Sequence, residues 1–113
     1  MPMFVEERTN DGQNASHFER VLSDQPDSHA LLVAAEGDSA FRVFETIFNG
    51  KPVALALLEQ SEDHWQLRRL VVHPATRGRG VGCETLRQLT TQVDHLHLPA
   101  DLLALARKAG IDS

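Results

Sequence analysis

Arginine and glycine alternate in the segment formed by residues 77–82, which reads Arg-Gly-Arg-Gly-Val-Gly. Glycine lets a backbone approach a ligand closely and adopts the positive φ angles that other residues avoid. The residues before this segment predict a strand, and the residues after it predict a helix. Unpaired N–H groups and the helix dipole attract anions to the N-terminus of a helix. The segment therefore predicts a site that binds a phosphate group.

Two strands and two helices are expected to hold this loop in place. Residues 65–72 predict the first strand, and residues 80–92 predict a helix with its leucines on the buried face. Residues 94–98 predict a short second strand, and residues 99–109 predict a closing helix. A strand–helix–strand crossover places its two strands parallel and side by side.

The strand before the loop changes the phase of its apolar pattern. Trp65 and Leu67 follow one phase of the period of two, whereas Leu70 and Val72 follow the other. One extra residue near positions 68–69 would bring both pairs to the same face, which is what a β-bulge does. The alternative is a strand that is buried on both faces toward its end. The sequence favours neither interpretation.

Two helical segments are expected in the first third of the chain. A cap at Asn14 or Ser16 predicts a helix that ends near residue 24. The apolar segment at residues 29–36 fits a short helix or a strand, and its periodicity does not distinguish them.

The other strands are predicted from β-branched, aromatic and apolar runs at residues 3–8, 40–48 and 52–58. Asn49-Gly50 predicts a tight hairpin between the last two. The expected class is α+β, with a mixed, mostly antiparallel sheet flanked by helices. We expect a single domain that spans residues 1–113.

Composition excludes several classes of protein. A hydrophobic fraction of 42% and a charged fraction of 24% indicate a folded domain. A net charge of -5 argues against a nucleic-acid binder, which needs a basic surface. The sole cysteine, Cys83, excludes an internal disulfide and favours a reducing compartment. No apolar run reaches membrane-spanning length. We therefore expect a soluble, cytoplasmic protein without nucleic-acid or membrane partners.

The loop and the strand before it resemble a known signature. Val71-Val72-His73-Pro74, followed by Arg77-Gly78-Arg79-Gly80-Val81-Gly82, resembles the acyl-CoA signature of the GCN5-related N-acetyltransferase (GNAT) superfamily. Arg77, Gly80 and Gly82 match that signature position by position. The resemblance covers residues 40–111 well and residues 1–39 in outline. Residues 106–111 resemble the closing helix of the family.

This resemblance implies an acetyl-CoA (CoA) site. Backbone N–H groups of residues 79–83 would surround the pyrophosphate, and the strand edge before the loop would pair with the pantetheine arm. The family opens its sheet between the bulged strand and the next parallel strand. The cofactor-binding residues that the resemblance implies are Leu70, Val71, Val72, Thr76, Arg77, Gly78, Arg79, Gly80, Val81, Gly82 and Cys83.

The chain also departs from the family pattern. The family commonly uses a tyrosine of the closing helix as general acid, but the matching position is Ala106 and the chain contains no tyrosine. Leu98-Pro99 stands where the family often has an asparagine. The chain ends about where the last two strands of the family would begin, so we expect truncated C-terminal strands. A second copy in a homodimer would supply them. The catalytic residues stay unassigned.

Other residues have an ordinary interpretation beside a functional one. His73 and Glu59 fit a general base, yet both fit exposed strand ends better. Cys83 fits a nucleophile, yet burial or contact with CoA is favoured. His95 and His97 have a metal-ligand spacing that no further residue completes, so we expect no metal. Arg87 and Lys108 are interpreted as solvated charges rather than as phosphate ligands.

Two functions fit these observations. The first is an acetyl-CoA-binding GNAT-family N-acetyltransferase that acts on an unidentified amine. The second is a non-catalytic acetyl-CoA sensor. The chain is similar to the small bacterial PanZ-like factors that bind aspartate 1-decarboxylase and promote its maturation. Phe48-Asn49, Thr76-Arg77 and residues 79–82 carry that similarity.

Overall fold

Five strands form one mixed sheet whose spatial order follows the chain. They are β1 (Met3–Arg8), β2 (Phe41–Phe48), β3 (Lys51–Ser61), β4 (His64–Val72) and β5 (Leu96–His97). The first four strands are antiparallel neighbours, and β4 and β5 are parallel. This computed structural model describes residues 3–108. It confirms the predicted α+β class and the parallel crossover.

Helices cover both faces of the sheet. They are α1 (Asn14–His17), α2 (Pro26–Ala34), α3 (Val81–Gln92) and α4 (Leu103–Lys108). One core lies between the sheet and the α1–α2 region, where Phe18 and Leu32 pack on Leu55 and Leu57. The other lies between the sheet and α3. Because β3 is covered on both faces, it contains a nearly continuous apolar run.

The turns between the antiparallel strands follow the sequence signals. Asn49 and Gly50 adopt φ angles of 53° and 73°, which a two-residue hairpin of type I′ requires at both positions. Asn49-Gly50 therefore joins β2 to β3 as predicted. Glu62 adopts a φ angle of 50° in the turn between β3 and β4.

The predicted first helix is wrong in its length and in its cap. The helix α1 ends at His17, and Gln13 occupies the N-cap position. The buried side chain of Asn14 accepts a hydrogen bond from Arg8 Nε at 2.8 Å and donates one to the Thr9 carbonyl at 2.9 Å. Asn14 is thus drawn away from the helix end, and successive turns replace the helix up to residue 24.

The remaining elements settle one open assignment and shorten one predicted strand. The ambiguous apolar segment forms the helix α2, with Pro26 in its first turn. The strand predicted at residues 94–98 is reduced to β5, because His95 adopts a φ angle of 57° just before it. The predicted closing motif continues past Lys108 into residues that lie outside the described part of the chain. None of the described helices is long and apolar enough to cross a membrane.

Candidate functional site

A β-bulge at Arg68 decides between the two interpretations of the phase change in β4. Leu57 of β3 faces Arg69 and Leu58 faces Leu67, so Arg68 has no opposite residue. Leu67 and Leu70 both pack on the core beneath α3. The two residues between them therefore lie on the other face, where Arg68 and Arg69 project side by side toward α2.

The sheet opens beyond this bulge. β5 pairs with β4 only at Trp65 and Gln66, among the residues described. The His73 N–H donates to the Val53 carbonyl of β3 at 2.8 Å. Because backbone groups alternate in direction along an antiparallel strand, the N–H and C=O groups of Leu70 and Val72 point to the open edge. Those of Val71 point to β3.

A continuous groove follows this open edge. Its loop end holds about 380 Å³ and its middle about 610 Å³, and the two parts share Val72 and Arg77. Its far end holds about 590 Å³ and shares Arg68, Arg69 and Pro99 with the middle. The implied cofactor-binding residues that line the groove are Leu70, Val71, Val72, Thr76, Arg77, Gly78, Gly80, Val81, Gly82 and Cys83. Arg79 is exposed within the same loop.

Glycine conformation shapes the loop end of the groove. Gly80 is the N-cap residue of α3 with a φ angle of 80°, and no side chain caps the helix. The first intrahelical hydrogen bond runs from the Glu84 N–H to the Gly80 carbonyl at 3.0 Å. The preceding N–H groups of the first turn, from Val81 to Cys83, lack an intrahelical acceptor and suit an anion.

Gly82 has a packing role in addition. A Cβ atom at this position would lie 3.1 Å from the Leu105 side chain and 3.8 Å from the Val72 side chain. A Cβ atom there would therefore press on the Leu105 side chain of α4, whereas its contact with Val72 of β4 would be an ordinary one. The absent Cβ leaves the backbone of the loop end accessible to a ligand.

Arg77 is exposed, but hydrogen bonds to other parts of the chain hold its side chain in place. Its guanidinium donates to both carboxylate oxygens of Asp24, at 2.6 and 2.8 Å, and its Nε donates to the Val72 carbonyl at 3.1 Å. The hydrogen bond from Arg77 lowers the pKa of the Asp24 carboxyl, and it raises the pKa of Arg77. Arg77 thus ties the loop to the segment between α1 and α2.

A comparison with protein-family models decides the family. The model of the acetyltransferase (GNAT) family matches residues 4–108. The chain belongs to the GNAT acetyltransferase family. A search of curated proteins gives no significant match.

Solved structures share this GNAT fold. A ribosomal-protein-S18-alanine N-acetyltransferase from Escherichia coli superposes with a TM-score of 0.74 and 19% identity, over 96% of this chain and 77% of its own. A ribosomal-protein-alanine N-acetyltransferase from Brucella melitensis biovar Abortus 2308 gives 0.70 and 16%, over 95% and 89%. An aminoglycoside 6'-N-acetyltransferase complexed with coenzyme A gives 0.65 and 17%, over 84% and 60%. At these identities the likeness concerns the fold.

The other residues that fitted a catalytic role make local contacts in this GNAT domain. The Nδ1 of His73 accepts a hydrogen bond from the Ala75 N–H at 3.0 Å and caps the short 3-10 turn Pro74–Thr76. Glu59 pairs with Arg68 at 3.3 Å. The Cys83 thiol donates to the Leu105 carbonyl, with 3.8 Å between sulfur and oxygen.

The remaining candidates lie away from the groove. Arg87 pairs with Glu84 on the surface of α3. His97 stacks on His64 with 3.8 Å between ring centroids, and His95 precedes the strand instead of sharing its face. No group of three metal-ligating side chains occurs within the described residues. The side chains of Ala106 and Lys108 lie outside the described part of the structure.

Several polar residues in or beside the groove were not predicted from the sequence. Asp27 and Ser28 of α2 line its middle, as does Asp101 of the second 3-10 turn (Ala100–Leu102). Asp24 lies beside the groove through its ion pair with Arg77. Asp27 and Asp101 stand at helix starts, where acidic residues are common. An acidic residue at a helix start therefore did not indicate that these two side chains lie beside the groove.

The ion pair between Arg77 and Asp24 predicts that the contact between the glycine-rich loop and the segment between α1 and α2 depends on pH. When folding lowers the pKa of a carboxyl group, the ionised group stabilises the folded state at pH values above the pKa that it has in the unfolded chain. That contribution is lost as the pH falls through the lowered pKa. We expect NMR of the Asp24 carboxyl carbon to give a pKa below the ordinary value, and Arg77→Gln to return the pKa to that value. Arg87→Gln serves as the control. An unchanged Asp24 titration in Arg77→Gln contradicts the prediction.

Proposed function

We propose that this GNAT-family chain is an acetyl-CoA-dependent N-acetyltransferase with an amine acceptor. The observation that carries the proposal is the continuous groove from the glycine-rich start of α3 to the bulge at Arg68. One end offers unpaired N–H groups to an anion, and the middle offers a free strand edge to an extended ligand. A cytoplasmic location and a homodimer remain predictions from the sequence.

The proposed cofactor contacts follow from the direction of the backbone groups. The N–H groups of residues 79–83 bind the pyrophosphate. The N–H groups of Leu70 and Val72 and the carbonyl of Leu70 bind the pantetheine arm as an added strand would, while the Val72 carbonyl already accepts a hydrogen bond from Arg77. Thr76 supports the loop, because its hydroxyl donates to the His73 carbonyl at 3.1 Å. Arg77 fixes the loop through Asp24.

Acetyl-CoA would supply an acetyl group activated as a thioester. The chain's own residues bind it at the loop, orient it along β4 and leave the bulge end open for the acceptor. The general acid is unassigned, since the sequence contains no tyrosine.

Gly80→Asp and Gly37→Asp make a matched test of the loop. Both glycines have similar φ angles, 80° and 74°, and a Cβ at either position meets no atom within 4 Å. Both variants therefore carry the same backbone strain, but only Gly80→Asp brings a carboxylate to the phosphate end of the groove. We expect calorimetry to show acetyl-CoA binding that weakens on the order of 100-fold in Gly80→Asp, because like charges at close range repel.

Gly37→Asp should keep the affinity of the wild type for acetyl-CoA. Absence of heat with the wild type at millimolar acetyl-CoA, or equal affinity in the two variants, would falsify the cofactor site.

A second candidate is a non-catalytic acetyl-CoA sensor of the PanZ-like type, which would bind aspartate 1-decarboxylase and promote its maturation. The absence of any tyrosine favours it, because a common acid for the leaving thiolate is then missing. The same groove serves both candidates. They differ in whether acetyl is transferred and in whether the chain binds a protein partner.

A thiol-release assay separates these two candidates. With saturating acetyl-CoA and a panel of amines, we expect free thiol to appear in equal amount to an N-acetylated amine detected by mass spectrometry. Gly80→Asp should release much less thiol than the wild type at the same acetyl-CoA concentration, and Gly37→Asp should match the wild type. Calorimetric binding of acetyl-CoA without thiol release from any amine would instead support the sensor. Co-purification of the decarboxylase precursor would strengthen that second interpretation.

A further inference from the structure

The far end of the groove is cationic because of the bulge. Arg68 and Arg69 project on the same face of β4 and both line this end. Arg68 is paired with Glu59 at 3.3 Å, in an exposed contact of low expected strength. Arg69 is half-buried, and its guanidinium donates to the Arg68 carbonyl at 2.9 Å. Among the ion pairs of residues 3–108, none includes Arg69.

The middle of the groove carries both signs of charge, because Arg68 and Arg69 also line it. Asp27 and Asp101 add two carboxylates to this part, and buried Ser28 lies beside Asp27. Arg77 also lines this part, but its charge is balanced by Asp24. Two carboxylates beside the guanidinium groups of Arg68 and Arg69 suit a small molecule that carries an ammonium group and an anionic group close together.

The order of the three parts sets the direction of an acceptor. An extended arm bound from the loop along Leu70 and Val72 runs toward the bulge. The acceptor must then approach from the far end, past Arg68 and Arg69. This step rests on the proposed function.

We propose that the acceptor is a small amine that also carries a carboxylate, as an amino acid does. Arg69 binds the carboxylate through the paired N–H groups of its guanidinium, with Arg68 beside it. Asp27 and Asp101 attract the ammonium group toward the middle of the groove. A carboxylate suits this end better than a phosphate, because Glu59 and the two aspartates would repel the larger negative charge.

The proposed transfer is balanced in atoms and charge. A C–N bond forms between the acceptor nitrogen and the acetyl carbon, and the C–S bond of the thioester breaks. The ammonium gives up two protons, of which one goes to the departing thiolate and one to water. The carboxylate bound by Arg69 is unchanged.

The first test measures binding without any reaction. The protein is saturated with CoA, which has no acetyl group to transfer, and is titrated with common L-amino acids and with their carboxamides. We expect at least one amino acid to bind on the order of 10- to 100-fold more tightly than its carboxamide, which is the range for a charged hydrogen-bonded pair. Arg69→Gln should abolish that preference, and Arg69→Lys should keep part of it.

Arg20→Gln is the matched control, because Arg20 is exposed and lines a different cavity. The comparison of amino acids with their carboxamides is made on the wild-type protein, so a folding defect in Arg69→Gln does not affect that result. Equal binding of acids and carboxamides to the wild type overturns the proposal. A preference that persists in well-folded Arg69→Gln overturns the role of Arg69.

The second test replaces CoA by acetyl-CoA and measures thiol release with the preferred amino acid and its carboxamide. We expect kcat/KM to be higher for the acid by the same factor as the binding preference. Release from the carboxamide alone overturns the acceptor class while leaving the transferase intact. Acetyl-CoA binding with no release from either overturns the acceptor class and leaves the cofactor site intact. Failure of acetyl-CoA to bind removes the proposed function and this inference together.

Discussion

The bulge at Arg68 is the constraint on which the rest of the structure depends. One unopposed residue in β4 lets Leu67 and Leu70 share the core beneath α3. A regular strand would turn one of them away from that core and lose the free energy of its burial, about 1.5–3 kcal/mol for a leucine. β4 and β5 pair only before the bulge, within the described chain. The extra residue, Arg68, lets both leucines reach the core, and it lies at the point where the sheet opens.

The groove needs a second constraint at its loop end. The start of α3 must approach both β4 and α4 closely, and Gly82 permits this because a Cβ there would press on Leu105. Gly80 adopts the left-handed conformation that ends the loop and begins the helix. Arg77 then ties the loop to Asp24, a residue 53 positions earlier. These contacts set unpaired helix N–H groups at one end of a free strand edge, as an extended anionic ligand requires.

Local sequence signals indicated much of the fold. Asn49-Gly50 predicted a hairpin because its turn needs positive φ angles that few other pairs adopt. The phase change in β4 indicated either a bulge or a strand buried on both faces, and the structure decided between them. Contacts between distant segments were not predictable. Asn14 failed to cap α1 because Arg8 draws its side chain into a buried cluster with Glu45, on β2. The second register shift, between Thr46 and Ile47, changes no apolar phase that the sequence displays.

We propose that the open edge of β4 receives the extended part of an acetyl-CoA molecule. Amide hydrogen exchange measured by NMR, with and without saturating CoA, tests this proposal. We expect the Leu70 and Val72 N–H groups to exchange rapidly in the free protein and to become protected in the complex. The Val71 N–H, which points to β3, should be protected in both states. Rapid exchange of Leu70 and Val72 in the saturated complex would show that the ligand does not pair with this edge.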